Sequence, residues 1–332
     1  MKKLDLESHY YIPEILEYFT GRTEFPIYYP DQMKLVYNED YPVSIPVKMK
    51  KLLQAPEERL VDMNAFGITK QVLIVSAGIT GIKNREDAKA LSRKANCFIH
   101  DAMTKYPDRF SGFAALPYQD VNAAVAELEF CVKEWNFFGA LGFSNFGPTT
   151  LDDPIYLPIL EKAAELDAPI YIHPLVAHEG RQRGLGKVLA TASFGFGVDV
   201  CTTVIRMMLM GCFDKYPNLK IFIGHMGEYF PFIFGRTDER FLREDRAPAI
   251  NQQSFSHYFM NNVWITTSGV YAPESFRCSH DILGIEKILF ASDYPFGKLS
   301  KAVEYIEGLP LSTEDREKVY SSNVKKFFKR LD

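Results

Sequence analysis

Lys220-Ile221-Phe222-Ile223-Gly224-His225-Met226-Gly227-Glu228 is a short apolar run, rich in isoleucine, that stops abruptly at glycine, histidine and glutamate. An apolar run of this length bounded by glycine predicts a strand buried on both faces, as in parallel sheets. A histidine and a glutamate at its carboxyl end fall where barrel and open α/β folds place their chemistry. Runs of similar character occur at Leu4–His9, Lys70–Ala77, Arg109–Leu116, Phe138–Phe143, Ala168–His173, Asn262–Ser268 and Lys287–Ala291. Helical patterns lie between them at Pro56–Phe66, Asp87–Tyr106, Asn122–Trp135, Leu151–Leu166, Val198–Phe213, Tyr229–Arg243 and Pro273–Ile282, and Leu299–Ile306 and Thr313–Leu331 close the chain. Eight strands alternating with helices predict an α/β fold, a (β/α)8 TIM barrel. A doubly wound sheet is the alternative, but its first strand would lead into a Gly-rich phosphate loop, which Glu7-Ser8-His9-Tyr10-Tyr11 does not resemble. One domain is expected over residues 1–332.

Composition narrows the function. With 332 residues, 47% of them hydrophobic, the chain can bury a large core. A formal charge of -4 with no basic run argues against a nucleic-acid surface. The five cysteines are far apart and form no CxxC pair, which predicts reduced thiols of a cytoplasmic protein. No apolar core of a signal peptide follows Met1-Lys2-Lys3, and no continuous apolar run reaches the length of a membrane span. Residues 12–47 lack a clean period and are dense in proline and in aromatics such as Tyr18, Phe19, Tyr28 and Tyr37. Such a stretch, inserted after the first strand, predicts a lid or binding segment, or short helices that the pattern hides. Residues 180–197 read as a glycine-rich excursion.

Five side chains at four strand ends stand out. Glu7 and His9 are two apart, hence on one face of a strand. His173, His225 and Asp293 end three further strands. In a barrel all would meet at one rim. Carboxylate and imidazole donors suit Zn(II), Mn(II) or Fe(II), and a site with an open position is catalytic. Each residue has a bland alternative: His173 as a satisfied core histidine, Glu7 and His9 as solvated groups, Asp293 as a cap. Their common position at strand ends favours the metal. His100, His257 and His280 lie in helical or loop contexts and read as surface residues; His178, after the fifth strand, is a weak candidate for substrate contact.

The motifs Glu7-x-His9, Tyr171-Ile-His173-Pro, Ile223-Gly-His225-Met-Gly-Glu228 and Ser292-Asp293-Tyr-Pro-Phe296 resemble those of the amidohydrolase-related metal-dependent decarboxylases. Phe113-Ala-Ala-Leu-Pro-Tyr-Gln-Asp120 and Ile265-Thr-Thr-Ser-Gly269 extend the likeness over nearly the whole chain, most closely to hydroxybenzoate decarboxylases of the γ-resorcylate (2,6-dihydroxybenzoate) type. This resemblance implies that Glu7, His9, His173 and Asp293 hold one divalent metal, Zn2+ or Mn2+, with no organic cofactor. It implies that His225, supported by Glu228, hydrogen-bonds near Asp293 rather than ligating, and that Arg236 sits near the substrate. It further implies a homodimer or homotetramer that removes CO2 from a small hydroxylated aromatic carboxylic acid, with Asp293 as the proton donor. The long segment after the first strand departs from the family, and Gly142-Phe-Ser-Asn145 does not match its substrate-contacting asparagine. The alternative is a mononuclear hydrolase of a lactone or amide, with Asp293 as general base. Two-metal hydrolases of the superfamily need a lysine or carboxylate at the end of strand four, which Ala140-Leu-Gly-Phe-Ser-Asn lacks. A non-catalytic barrel is disfavoured, since every expected ligand is present.

Overall fold

Parallel strands pair side by side in chain order: β1 (Leu4–Tyr10), β2 (Lys70–Val75), β3 (Phe110–Ala114), β4 (Gly139–Phe143), β5 (Ile170–His173), β6 (Ile221–Ile223), β7 (Val263–Thr266) and β8 (Ile288–Leu289). The computed structural model describes residues 1–40, 42–43, 46–76, 79–242 and 248–328. The Leu6 amide donates to the Phe290 carbonyl (3.1 Å) and the His9 amide to the Tyr294 carbonyl (2.6 Å), joining the extension of β8 back to β1. The expected α/β barrel is therefore formed. Its strands are shorter than the apolar runs, most of all β8. There the Phe290 amide turns to the Val319 carbonyl (3.0 Å) and the Ala291 amide to the Thr267 hydroxyl (3.1 Å). Ala77, Arg243 and Leu331, each the end of an expected element, lie outside the described residues.

Aromatic rings fill the barrel. Phe113 meets Tyr171 at 5.5 Å and Phe222 at 6.4 Å, and Phe222 meets Trp264 at 6.2 Å. At the amino-terminal end of the strands, Phe327 packs on Phe222 (5.0 Å) and Phe328 stacks on Phe138 (4.2 Å), so the chain's last described residues close that face. The opposite rim is left for polar groups.

Local signals set most helix starts. Asn84 accepts from the Glu86 and Asp87 amides and begins helix Arg85–Lys105; Asp120 accepts from the Ala123 amide and begins Val121–Glu134. Helix Phe255–Asn262 was not anticipated, although Ser254 caps it and Phe255, Tyr258, Phe259 and Asn262 bury one face at helical spacing. Helix Pro46–Leu52 was also missed. The expected Thr313–Leu331 helix breaks at a π turn, Lys318–Ser322. Segment Lys187–Leu209 is long and apolar enough by composition to cross a membrane (mean hydropathy 1.6), contrary to the sequence expectation. It consists of two helices, Lys187–Ala190 and Gly195–Leu209, and half of it is buried in the protein. The aperiodic segment after β1 contains helix Pro13–Tyr18 and a small antiparallel sheet, Ile27–Tyr29, Lys34–Val36 and Pro42–Val43. Hidden short elements, one of the two expectations for it, are what the structure shows.

One charge lies deep at the floor. Lys287 is 7% exposed; its ammonium donates to the Val263 carbonyl (3.1 Å) and lies 3.7 Å over the Trp264 ring. Burial, followed by the charge of Lys326, pushes this amine down to about 7. An unfolded lysine holds its proton to about pH 10.4. Between these values the unfolded chain binds more protons, so this group's contribution to native stability rises with pH. Lys287→Met is expected to stabilise the fold by about 1 kcal/mol at pH 7, with the gain shrinking toward pH 10. Urea unfolding at both pH values measures this; a loss at pH 7 would mean that the contact with Trp264 outweighs desolvation.

Candidate metal centre

β1 carries the first two donors. Its register with β2 slips between Asp5 and Ser8, a bulge that re-aims side chains at the rim. Glu7 and His9 are both fully buried. His9 Nε2 lies 3.4 Å from Glu7 Oε1 and 3.2 Å from Asp293 Oδ1. The His173 ring meets the His9 ring edge-on at 5.0 Å. One donor atom from each of Glu7, His9 and His173 lies within 4.8 Å of the others. Asp293 joins the group through His9. Among the described residues, Glu7 Oε1, His9 Nε2 and His173 Nδ1 are buried without a hydrogen-bond partner. Each such atom costs about 1–3 kcal/mol, and three in one cluster fit a single shared cation.

Neighbouring groups leave these atoms available. The Tyr171 hydroxyl donates to Glu7 Oε2, leaving Oε1 open, and lies 3.0 Å from Thr266 Oγ1. Ser76 Oγ lies 3.2 Å from His9 Nδ1. With Nδ1–H donating to that hydroxyl, Nε2 presents its lone pair. Asp5 accepts from the Ser292 amide (2.8 Å), the Ser292 hydroxyl (2.7 Å) and Gln71 (3.2 Å), which ties the Asp293 turn to β1. The buried Arg59 guanidinium donates to Ser8 Oγ (3.1 Å) and to the His9 carbonyl.

Charge follows the same logic. Burial would lower the pKa of His9, but the neighbouring carboxylates of Asp293 and Glu7 carry it up to about 9. Burial would raise Glu7, but His9, His225 and His173 hold it below the usual carboxylate range. Burial, then His9, pushes His173 down to about 3. A cation entering here therefore displaces a proton from His9 while meeting an already neutral His173.

The Gly224–Glu228 turn forms the adjoining wall. His225, Met226 and Glu228 have φ of 52°, 57° and 55°, and Asp293 has 59°. Left-handed conformations in non-glycine residues cost roughly 1–3 kcal/mol each, and these gather at the rim. His225 Nδ1 lies 2.5 Å from Glu228 Oε1, and the His225 amide donates to Ser268 Oγ (3.1 Å). With Nδ1 so engaged, Nε2 remains on the side of Asp293. Burial opposes charge on His225, but Glu228 wins and raises it to about 10. A Cβ on Gly224 would come within 2.9 Å of Ser268 Oγ and 3.2 Å of Tyr171 Oη, so only glycine lets β6 end this close to Glu7.

Two cavities meet at His225 and Asp293. One, of about 450 Å³, is lined by Glu228, Tyr229, Gly269 and Cys278; the other, of about 220 Å³, by His173, Tyr37, Lys48 and Phe296. Arg236, expected near the substrate, is exposed on helix Phe230–Phe241 and lines neither cavity. His178 is exposed on a separate cavity, and the Asn145 amide is engaged with Val176 and Asp199. His257 is exposed, while His100 and His280 are half-buried and stack on Trp135 and Phe276. Sequence reasoning missed Asp5 and Tyr171, although each lies two residues before a named donor, on the alternation used for Glu7 and His9.

The amidohydrolase family model matches residues 42–330. The chain is 33% identical to a gamma-resorcylate decarboxylase of Rhizobium sp. (strain MTP-10005), covering 98% of both chains. The structure is similar to that of 2,6-dihydroxybenzoate decarboxylase complexed with 2,6-dihydroxybenzoate (TM-score 0.85, 31% identity, 99% of both chains). It is also similar to a dihydroxybenzoic acid decarboxylase of Polaromonas sp. JS666 with bound manganese and 2-nitroresorcinol (TM-score 0.84, 31% identity, 100% of this chain and 98% of that one).

His173→Ala is expected to weaken binding of a divalent cation by more than about 100-fold, beyond the loss of a supporting partner alone. Elemental analysis after loading with manganese reads this directly, and unchanged occupancy would remove His173 from the centre.

Proposed function

The chain belongs to the amidohydrolase family, and we propose that it is a metal-dependent carboxy-lyase that releases CO2 from hydroxylated benzoates such as 2,6-dihydroxybenzoate. The observation that carries this reading is one compact group of unpartnered buried donors, Glu7, His9 and His173, beside a carboxyl group, Asp293, that faces both cavities. Glu7, His9, His173 and Asp293 would hold one divalent cation, Mn2+ or Zn2+. Such a cation supplies positive charge that orients the substrate's carboxylate and adjacent hydroxyl and stabilises negative charge developing there.

The chain's own residues then manage position and protons. Phe296, whose ring meets His9 at 5.0 Å, offers an apolar wall for an aromatic ring. Asp293 gives its proton to the ring carbon that bears the carboxylate. The electrons of the breaking carbon–carbon bond restore the aromatic ring, and CO2 departs. Burial, with the nearby charge of Glu7, raises the Asp293 carboxyl against the pull of His9 and His225. His225, held by Glu228, returns a proton to Asp293 through Nε2. Both groups border Gly269: a Cβ there would lie 3.3 Å from Asp293 Oδ2 and 3.7 Å from His225 Nε2. Arg236 is left out of this scheme.

CO2 release from 2,6-dihydroxybenzoate by manganese-loaded protein is the direct test; inertness there, together with turnover of a lactone or amide, would favour the hydrolase. Asp293→Asn should leave the fold intact and lower CO2 release by about 10²–10⁴-fold, the usual weight of a positioned proton donor. Substantial activity in that variant would remove Asp293 from the chemistry.

A further inference from the structure

Helix Pro56–Ala65 holds both sides of the seam between β1 and the Asp293 turn. Arg59 and, three residues on, Asp62 lie on one face of it. Arg59 is 1% exposed. Its guanidinium donates through Nη1 to Ser8 Oγ (3.1 Å) and through Nη2 to the His9 carbonyl, both on β1, and lies 5.5 Å from the centre of the Tyr294 ring. Tyr294 follows Asp293 in the chain, and its carbonyl accepts from the His9 amide (2.6 Å). The Tyr294 hydroxyl lies 2.6 Å from Gln54 Oε1 and 2.5 Å from Asp62 Oδ2, and Lys51 donates to the same Asp62 oxygen (2.7 Å). One helix therefore grips the strand that carries Glu7 and His9 and the turn that carries Asp293.

Stability does not explain a guanidinium at this place. Its two hydrogen-bond partners are neutral, and among the described residues its Nε is buried without one. A buried charge so sparsely paired is less favourable than an apolar side chain of similar volume. Its charge does not favour a metal either, since a cation beside a divalent-ion site opposes binding by repulsion. What the planar fork supplies is direction, because its donors are fixed relative to one another. His9 Nε2 stands 3.2 Å from Asp293 Oδ1, and that spacing depends on the strand and the turn being held together.

We infer that Arg59 is a positioning residue of the metal centre: with Asp62 on the same helix, it fixes His9 relative to Asp293 and so sets the affinity for the divalent cation. This rests on the metal-dependent reading above.

Calorimetric titration of metal-free protein with Mn2+ is the test. Arg59→Met and Arg59→Lys should each weaken binding by about 10–100-fold, the usual effect of losing a partner that orients a ligand. Lysine does not substitute, because one ammonium cannot reproduce the fork to both β1 oxygens, and it carries the test if Arg59→Met does not fold. Asn96→Ala is the control for a general loss of stability: it removes buried hydrogen bonds to the Ala115 carbonyl and amide, beside β3, which carries no donor, and should leave Mn2+ affinity unchanged. Full affinity in either Arg59 variant, or an equal loss in Asn96→Ala, overturns the inference. Hydrogen exchange of the metal-free protein gives a second readout. The His9 amide, bonded to the Tyr294 carbonyl, should exchange faster in the Arg59 variants than in Asn96→Ala, and equal rates overturn the positioning role. If the unaltered protein binds no Mn2+, the metal-dependent reading fails on its own, and the exchange rates decide whether Arg59 holds the seam.

Discussion

Two carboxylates, the buried Glu7 and the half-buried Asp293, flank a single imidazole, His9, at the seam where the barrel closes. Burying one unpaired carboxylate is costly, and burying two beside each other compounds the cost through repulsion. The surrounding structure answers that constraint. Tyr171 takes one oxygen of Glu7, Ser76 fixes one face of His9, and Asp5 holds the Ser292 amide so that Asp293 cannot swing away. What these partners leave open converges on one point, and only a cation completes it.

The same seam explains how residues 284 positions apart in sequence come to act together. Hydrogen bonds from Leu6 and His9 to the extension of β8 carry the backbone of one end of the chain onto the other. The aromatic fill beneath them keeps water from the floor and leaves the polar groups a single open side. Stability and chemistry are therefore divided along the barrel axis: rings and the buried Lys287 at one end, donors and left-handed turns at the other.

Strand order and the barrel were legible in the sequence because each rests on a local rule, and the same rule brought Glu7, His9, His173, His225 and Asp293 to one rim; only the family resemblance set His225 apart from the other four. Apolar runs bounded by glycine predict buried parallel strands, and donors at their ends predict a rim. Other features depend on tertiary context. The Phe255–Asn262 helix carried a serine cap and a helical stripe, yet its aromatic density obscured the period. The segment after β1 gave no pattern because its three strands have only two or three residues each. Arg236 shows the limit of spacing: eight residues beyond Glu228 fixes a place along a helix but not what its exposed side chain meets.

Buried Asp40, which accepts from Arg183 and from the Gly184 and Gly186 amides, belongs to this last category and shows why the walls of a site are harder to read than its centre. Nothing in the local sequence links Asp40 to Arg183, 143 positions away. The link exists only because the barrel brings the segment after β1 over the loop after β5. Once they meet, a buried carboxylate can satisfy two loop amides and a guanidinium at once, and the glycines at 184 and 186 supply the backbone freedom this requires. Metal-binding donors must appear in fixed chemical types near fixed strand ends, whereas a cavity wall can be built from any pair of segments that fold into contact. The first constraint leaves a pattern along the chain; the second leaves one only in space.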